Sequence, residues 1–242
     1  DGLRTRKTDK DDALHLAETQ FIFKIRLTYY QKPAYRDLMD LSRFYQQINS
    51  DLVREKNRLH RVLQLTFPEV EQITSKATGK LYWHIVQEYP HPDLLNDLST
   101  DEIATHLVET NSRLTLPKAK RLAVHLLELG RRSYPASAVM SPAPDQARYH
   151  AKSVAELDAL KDKRMKQVIV LAKPLAEFEI LLSIPGFGEK TVVRLIGELG
   201  DIHRFGSSNK LNGFVGIDLR HDESGNFIAS DHISKRGNHI AR

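Results

Sequence analysis

The sequence contains no cysteine. Disulfides, thiolate zinc sites and thiol nucleophiles are therefore excluded, and the chain is compatible with a reducing, cytoplasmic setting. No apolar run approaches membrane-spanning length, so no transmembrane helix and no membrane partner are expected. The stretch from Asp1 to Asp12 is polar and charged and lacks the apolar segment a signal peptide needs. Eleven histidines are present, but none shows metal-ligand spacing or an evident triad.

What is there fits a globular chain. Of the 242 residues, 40% are hydrophobic and 28% charged, which suffices for a sizeable core. The net charge is +5. The basic residues cluster: Arg4 to Lys10, then Lys118, Lys120, Arg121, Arg131 and Arg132, then Lys161, Lys163, Arg164 and Lys166, and finally Lys235, Arg236 and Arg242. Phosphate neutralisation needs such groups on a shared face, whereas a single cluster is equally a solvated helix surface.

The pattern is mainly helical. Thr8 suits an N-cap, with Asp9 and Asp12 in the opening turns. Phe21 to Tyr30 fits a helix continuation or a strand. Leu38, Leu41, Phe44, Tyr45, Ile48, Leu52, Leu59, Val62 and Leu63 recur mostly at steps of three and four and predict a long helix from about Pro33 to Leu65, with a coiled-coil-like face. Several short helices are expected over 69–132, one starting after Ser99 and one over Lys118 to Leu129, opened by Pro117 and capped by Gly130. The stretch Ser133 to Pro144 reads as a linker. A further helix should run through Val154 to Leu175, kinked at Pro174. Near the C-terminus, Phe214 to Leu219 and Asn226 to Ser230 should pair as strands around the turn Asp222 to Gly225.

Three constellations bear on chemistry. The first is Ile184-Pro185-Gly186-Phe187-Gly188 between two apolar helices, the pattern of a helix-hairpin-helix. Gly186 and Gly188 allow a tight turn, and the amides opening the second helix, beside Lys190, can hold a phosphate without reading sequence. A purely structural αα-hairpin remains the other reading. The lysine here lacks the preceding glycine of a nucleotide loop, as does Gly79-Lys80. The second is Asp9 and Asp12, three apart on one helix face, which can share a divalent metal or simply cap a helix. The third is Glu223-Ser224-Gly225, where a serine in a glycine turn can be a nucleophile if activated, or only a turn residue.

Taken in order, these stretches resemble the DEDD transposases of bacterial insertion sequences, the one-ten and one-sixteen group. The resemblance rests on Arg6 to Ala13, on Ile184 to Gly200 with Asp201 and Phe205, and on Gly213 to Gly216, Glu223 to Gly225 and Ile233 to Arg242. It implies three regions: 1–32 as the end of a RuvC-like α/β nuclease domain, 33–146 as a helical middle, and 147–242 as a transposase domain containing the helix-hairpin-helix and a small β-hairpin. It implies that Asp9 and Asp12 are catalytic and bind Mg2+, that Ser224 is the nucleophile, and that Gly186, Gly188, Lys190, Lys235 and Arg236 contact nucleic acid. DNA, a structured guide RNA and a second copy of the chain are the implied partners, in a bacterial cytoplasm at the nucleoid. The first Asp and the Glu of the acidic set should lie before residue 1, so the chain is expected to be a fragment that is inactive alone. Val192 and Val193 stand where the family tends to place alanine. The alternative is a non-catalytic helix-hairpin-helix protein that binds nucleic acid, and a third is a helical protein that only dimerises.

Overall fold

A computed structural model describes residues 9–22, 30–75, 79–220, 223–224, 227–228 and 232–242. Among these the protein is mainly helical, with four two-residue strands at the C-terminal end. No described helix is long and apolar enough to cross a membrane.

The chain divides into two compact units, one formed by 36–199 with Ala241 and the other by 1–35, 200–240 and Arg242. The larger unit contains most of α2 (Pro33–Thr66), followed by a 3-10 turn opened by Pro68. The end falls where Pro68 removes a backbone donor, as the sequence suggests. Then come α3 (Lys80–Glu88), α4 (Thr100–Thr110), α5 (Leu116–Arg132), α6 (Pro142–Ala172), α7 (Ala176–Leu182) and α8 (Glu189–Leu199). One core joins Leu52, Leu59 and Leu63 of α2 to Trp83 and Ile85 of α3, Ile103 and Leu107 of α4, Leu126 of α5 and Val154 of α6. Tyr82, Trp83 and Tyr89 are buried there, so these aromatics are core and not a base-stacking platform. Removal of the Tyr89 ring from water pushes its hydroxyl up to about 12, and the hydroxyl is hydrogen-bonded to His106 at 2.8 Å. Ser99 makes a capping box with Glu102: its Oγ accepts from the Glu102 amide at 3.2 Å, and the Glu102 carboxylate accepts from the Ser99 amide at 2.7 Å.

Three local expectations are corrected. Gly130 does not cap α5, which continues to Arg132. It is a close-packing position, since a Cβ there would stand 3.1 Å from Leu95 Cδ1. Pro174 does not kink α6; that helix ends at Ala172, and α7 starts two residues after the proline. The expected linker is shorter, because Ser141 caps α6 through the Ala143 amide and Pro142 takes the first helical position, where a missing N–H costs nothing.

The smaller unit contains α1 (Asp9–Ile22), α9 (Ser208–Val215) and the strands β1 (Leu219–Arg220), β2 (Glu223–Ser224), β3 (Phe227–Ile228) and β4 (His232–Ile233). Thr8 and residues 23–29 lie outside the described residues. Leu14 and Leu16 of α1 are exposed. The strand expectation shifts in register. Phe214 and Val215 finish α9 instead of starting a strand. The pairs are nested and antiparallel: Leu219 with Ile233 and Arg220 with His232, then Glu223 with Ile228 and Ser224 with Phe227. Ser224 is therefore paired in a strand, opposite Phe227, and residues 225–226 of the expected turn lie outside the described residues.

Candidate nucleic-acid interface and catalytic residues

The turn between α7 and α8 is built by backbone hydrogen bonds. The Ile184 amide donates to Leu181 O at 3.2 Å and the Phe187 amide to Ile184 O at 3.1 Å. Gly186 has φ +91°, a left-handed conformation that side chains with a Cβ avoid. The Thr191 and Val192 amides both return to Gly188 O, at 2.9 and 3.0 Å. Helical geometry then leaves the amides at the start of α8 to look outward. No heavy atom lies within 4 Å of a Cβ placed on Gly186 or Gly188, so the turn presents open backbone. Lys190 is exposed in the first turn of α8. So is Glu189, whose carboxylate opposes an anion at that end; Lys173 offsets it at 3.7 Å.

What holds the hairpin in place is mostly apolar. Phe178 of α7 and Val192, Val193 and Ile196 of α8 are buried, and α8 packs on α6 and α7. The two valines fill core positions. At Gly197 a Cβ would stand 3.2 Å from Ser42 Cβ and 3.4 Å from Leu38 O, so glycine permits the close crossing of α8 over α2. The next residue, Glu198, has a fully buried side chain and receives two hydrogen bonds from Arg43, at 3.1 and 3.0 Å. The bond to Glu198 raises the Arg43 guanidinium above its ordinary value, against the opposing effect of burial. A buried carboxylate held in this forked geometry fixes the rotation of α8 about its axis.

In the other unit, Lys235 and Arg236 sit on a segment tied to the end of α9. The Ser234 amide donates to Asp218 O at 2.9 Å, the Lys235 amide to Gly216 O at 3.0 Å, and the Asn238 amide to Phe214 O at 2.7 Å. Lys235 has φ +55°, among the described residues the one non-glycine position in the left-handed region. Such strain persists only where neighbouring bonds hold it. Ser234 Oγ contributes by hydrogen-bonding Asp218 Oδ1 at 2.5 Å and accepting from the Arg236 amide at 3.4 Å. Both cationic side chains are exposed. The Asp218–Ser234 pair was not found by sequence reasoning, because its members are sixteen residues apart and meet only through the β1–β4 pairing.

Asp9 and Asp12 lie in the first turn of α1, both exposed. Carboxylate oxygens three apart on a helix fit part of the oxygen shell of a hard divalent cation. Asp9, Asp12, Ser224, Lys235 and Arg236 all belong to the same unit, whereas Gly186, Gly188 and Lys190 belong to the other.

The basic clusters read from sequence are only partly available to a ligand. Lys120 pairs with Asp101 at 2.7 Å and Lys161 with Asp158 at 2.9 Å. Arg164 lies over the Phe44 ring, 5.3 Å from its centroid.

Comparison with known proteins finds similarity to transposases at both ends of the chain. A family model described as "Transposase IS116/IS110/IS902 family" matches residues 178–242, and a second model described as "Transposase", of the DEDD type, matches residues 1–68. Together they account for more than half of the sequence, in the order the motifs suggested. The transposase for insertion sequence element IS1111A of Coxiella burnetii (strain RSA 493 / Nine Mile phase I) is 36% identical over 77 residues, covering 32% of this chain. The match spans 21% of that relative's own length. Both ends of the chain are thus similar to transposases, the C-terminal end to the IS116/IS110/IS902 family.

Proposed function

We propose that this chain is the DNA-gripping part of a transposase that cuts and rejoins DNA strands during movement of an insertion sequence. The observation that carries the reading is the hairpin at 183–188: an open glycine turn and the start of α8, inside the segment matched by the family model. Backbone amides at a helix start bind phosphate without base contacts, and Lys190 adds a charge beside them. The Lys235-Arg236 segment supplies a second basic contact. The similarity to transposases and the acidic pair favour this over a non-catalytic helix-hairpin-helix protein.

In the complete enzyme Asp9 and Asp12 would hold part of a magnesium site, completed by an upstream Asp and Glu. The metal would supply charge stabilisation at the scissile phosphate. Ser224 would be the nucleophile: its hydroxyl oxygen attacks phosphorus, its proton passes to a base, and the scissile phosphorus–oxygen bond breaks, the sugar oxygen leaving as a protonated hydroxyl. The working assembly contains DNA, a structured guide RNA and a second copy of the chain, in the bacterial cytoplasm at the nucleoid. The regions 1–32, 33–146 and 147–242 correspond to nuclease remnant, helical middle and transposase domain.

The test is a comparison of Gly188→Val and Gly186→Ala by fluorescence anisotropy on duplex DNA. Gly188→Val meets no steric obstacle in the fold, so circular dichroism should be unchanged while binding weakens on every sequence. Gly186→Ala strains the turn by roughly 1–2 kcal/mol through its positive φ and should weaken binding with a small loss of stability. Unchanged affinity in both, at moderate salt, makes the hairpin structural only.

A further inference from the structure

Lys80 at the start of α3, Arg113 in the α4–α5 connection and Lys118 in the first turn of α5 converge on one open cavity of about 420 Å³. They are separated by up to 38 positions in sequence. Among the described residues no acidic one lines this cavity, and all three side chains are exposed. This sets them apart from Lys120 and Lys161, whose charge is met by a carboxylate. Leu114, buried, anchors the floor. The connection is stiffened by the Leu114 amide on Asn111 O at 2.9 Å and the Arg113 amide on Asn111 Oδ1 at 3.2 Å. The Ser112 hydroxyl lies on the same wall.

Three like charges kept together without a counter-charge repel one another and destabilise the unliganded protein. A polyanion relieves that repulsion. The chemistry selects among polyanions: the cavity is open, roomier at about 420 Å³ than one phosphate, and lined by two ammonium groups, a guanidinium and the hydroxyls of Thr110 and Ser112. That suits two or three successive phosphates of a backbone, contacted from the side. We infer that this cavity of the helical middle is a sequence-independent binding site for the phosphodiester backbone of a nucleic acid. The inference rests on the reading of the chain as a nucleic-acid-handling protein, and it extends that grip to a part of the chain that neither family model covers.

The experiment uses the full 242-residue chain and the triple variant Lys80→Gln, Arg113→Gln, Lys118→Gln. Binding to a duplex DNA and to a structured RNA of equal length is titrated between about 50 and 200 mM salt. Each phosphate neutralised contributes about 0.9 to the slope of log affinity against log salt for duplex DNA. The variant should lose roughly 2 to 3 from that slope on whichever ligand occupies the cavity, and about 10-fold or more in affinity at the low-salt end, with a melting temperature at or above that of the wild type as the repulsion is relieved. A loss on DNA alone, on RNA alone or on both assigns the occupant. If the wild type binds and the variant keeps its slope on both ligands, the cavity is not a backbone site. If the wild type binds neither, the functional reading fails and this inference with it.

Discussion

Gly237→Ala is the most demanding perturbation of the segment that carries Lys235 and Arg236. A Cβ at this position would stand 2.4 Å from Phe214 O, 2.6 Å from Gly216 N and 2.7 Å from Val215 C. All three are backbone atoms at the end of α9, so no side-chain rotation gives relief. The two backbone segments must part by about 1 Å to bring the 2.4 Å approach to ordinary contact. Parting them weakens the hydrogen bonds from Lys235 N to Gly216 O and from Asn238 N to Phe214 O, each of net value about 1 kcal/mol. Forced overpacking alone costs typically about 1–3 kcal/mol. A local penalty of about 2–3 kcal/mol corresponds to a roughly 30- to 150-fold rise in opening. Amide hydrogen exchange at Lys235 and Asn238 reads this directly, and DNA affinity should fall as the two cations lose their fixed placement. Gly213→Ala is the control. It lies in α9 with no heavy atom within 4 Å of its Cβ, and alanine is preferred in a helix by about 0.5–1 kcal/mol, so it should stabilise. If Gly237→Ala exchanges like wild type at both amides, the docking of this segment on α9 is not what holds the cationic pair.

Three further outcomes follow from named contacts. Arg43→Ala should cost about 3 kcal/mol by stripping the fork from the buried Glu198 carboxylate, seen as a melting-temperature drop of roughly 6–12 °C; a drop below about 2 °C would mean that the pair is not structural. Burial alone would raise the Glu55 carboxyl, but hydrogen bonds from His150, at 2.7 Å, and from Arg58 outweigh it and bring it below 4.5. Its contribution is therefore present above that pH and lost as pH falls through the lowered folded value; acid melts of Glu55→Gln should fall less steeply than wild type below pH 4.5, and parallel curves would contradict the coupling. Ser224→Ala, in a transposase that supplies the upstream Asp and Glu, should retain DNA binding and lose the covalent protein–DNA adduct; an adduct at the wild-type level would reduce Ser224 to a strand residue.

The parts of this molecule written in local pattern were legible in the sequence. The three-and-four spacing from Leu38 to Leu63 gave α2 almost to the residue, because one apolar face buries along its length. The Ser99 cap was legible from the acidic residues behind it, and a tight turn between α7 and α8 from Gly186, whose φ is positive. The misreadings arise where tertiary contacts decide. Gly130 resembles a helix stop, yet its missing Cβ serves packing against Leu95. Phe214 and Val215 have strand-forming side chains, yet Ser207 caps a helix through the Lys210 amide and carries them into it. The β register followed from no local signal, because alternation over two-residue strands is too short to fix a face. For the candidate site, the glycine turn and the acidic pair were visible as motifs. The cavity of Lys80, Arg113 and Lys118 was not, since Lys80 opens a different helix and meets the other two only in the folded chain.

The claim on which everything else depends is that the chain grips DNA through phosphates without reading bases. Equilibrium binding of the 242-residue chain to two duplexes of unrelated sequence, measured across salt, tests it most directly. The account predicts equal affinity for both within about twofold, falling steeply with salt at about 0.9 per phosphate contacted. Binding absent at the lowest salt, or binding that does not respond to salt, would contradict it.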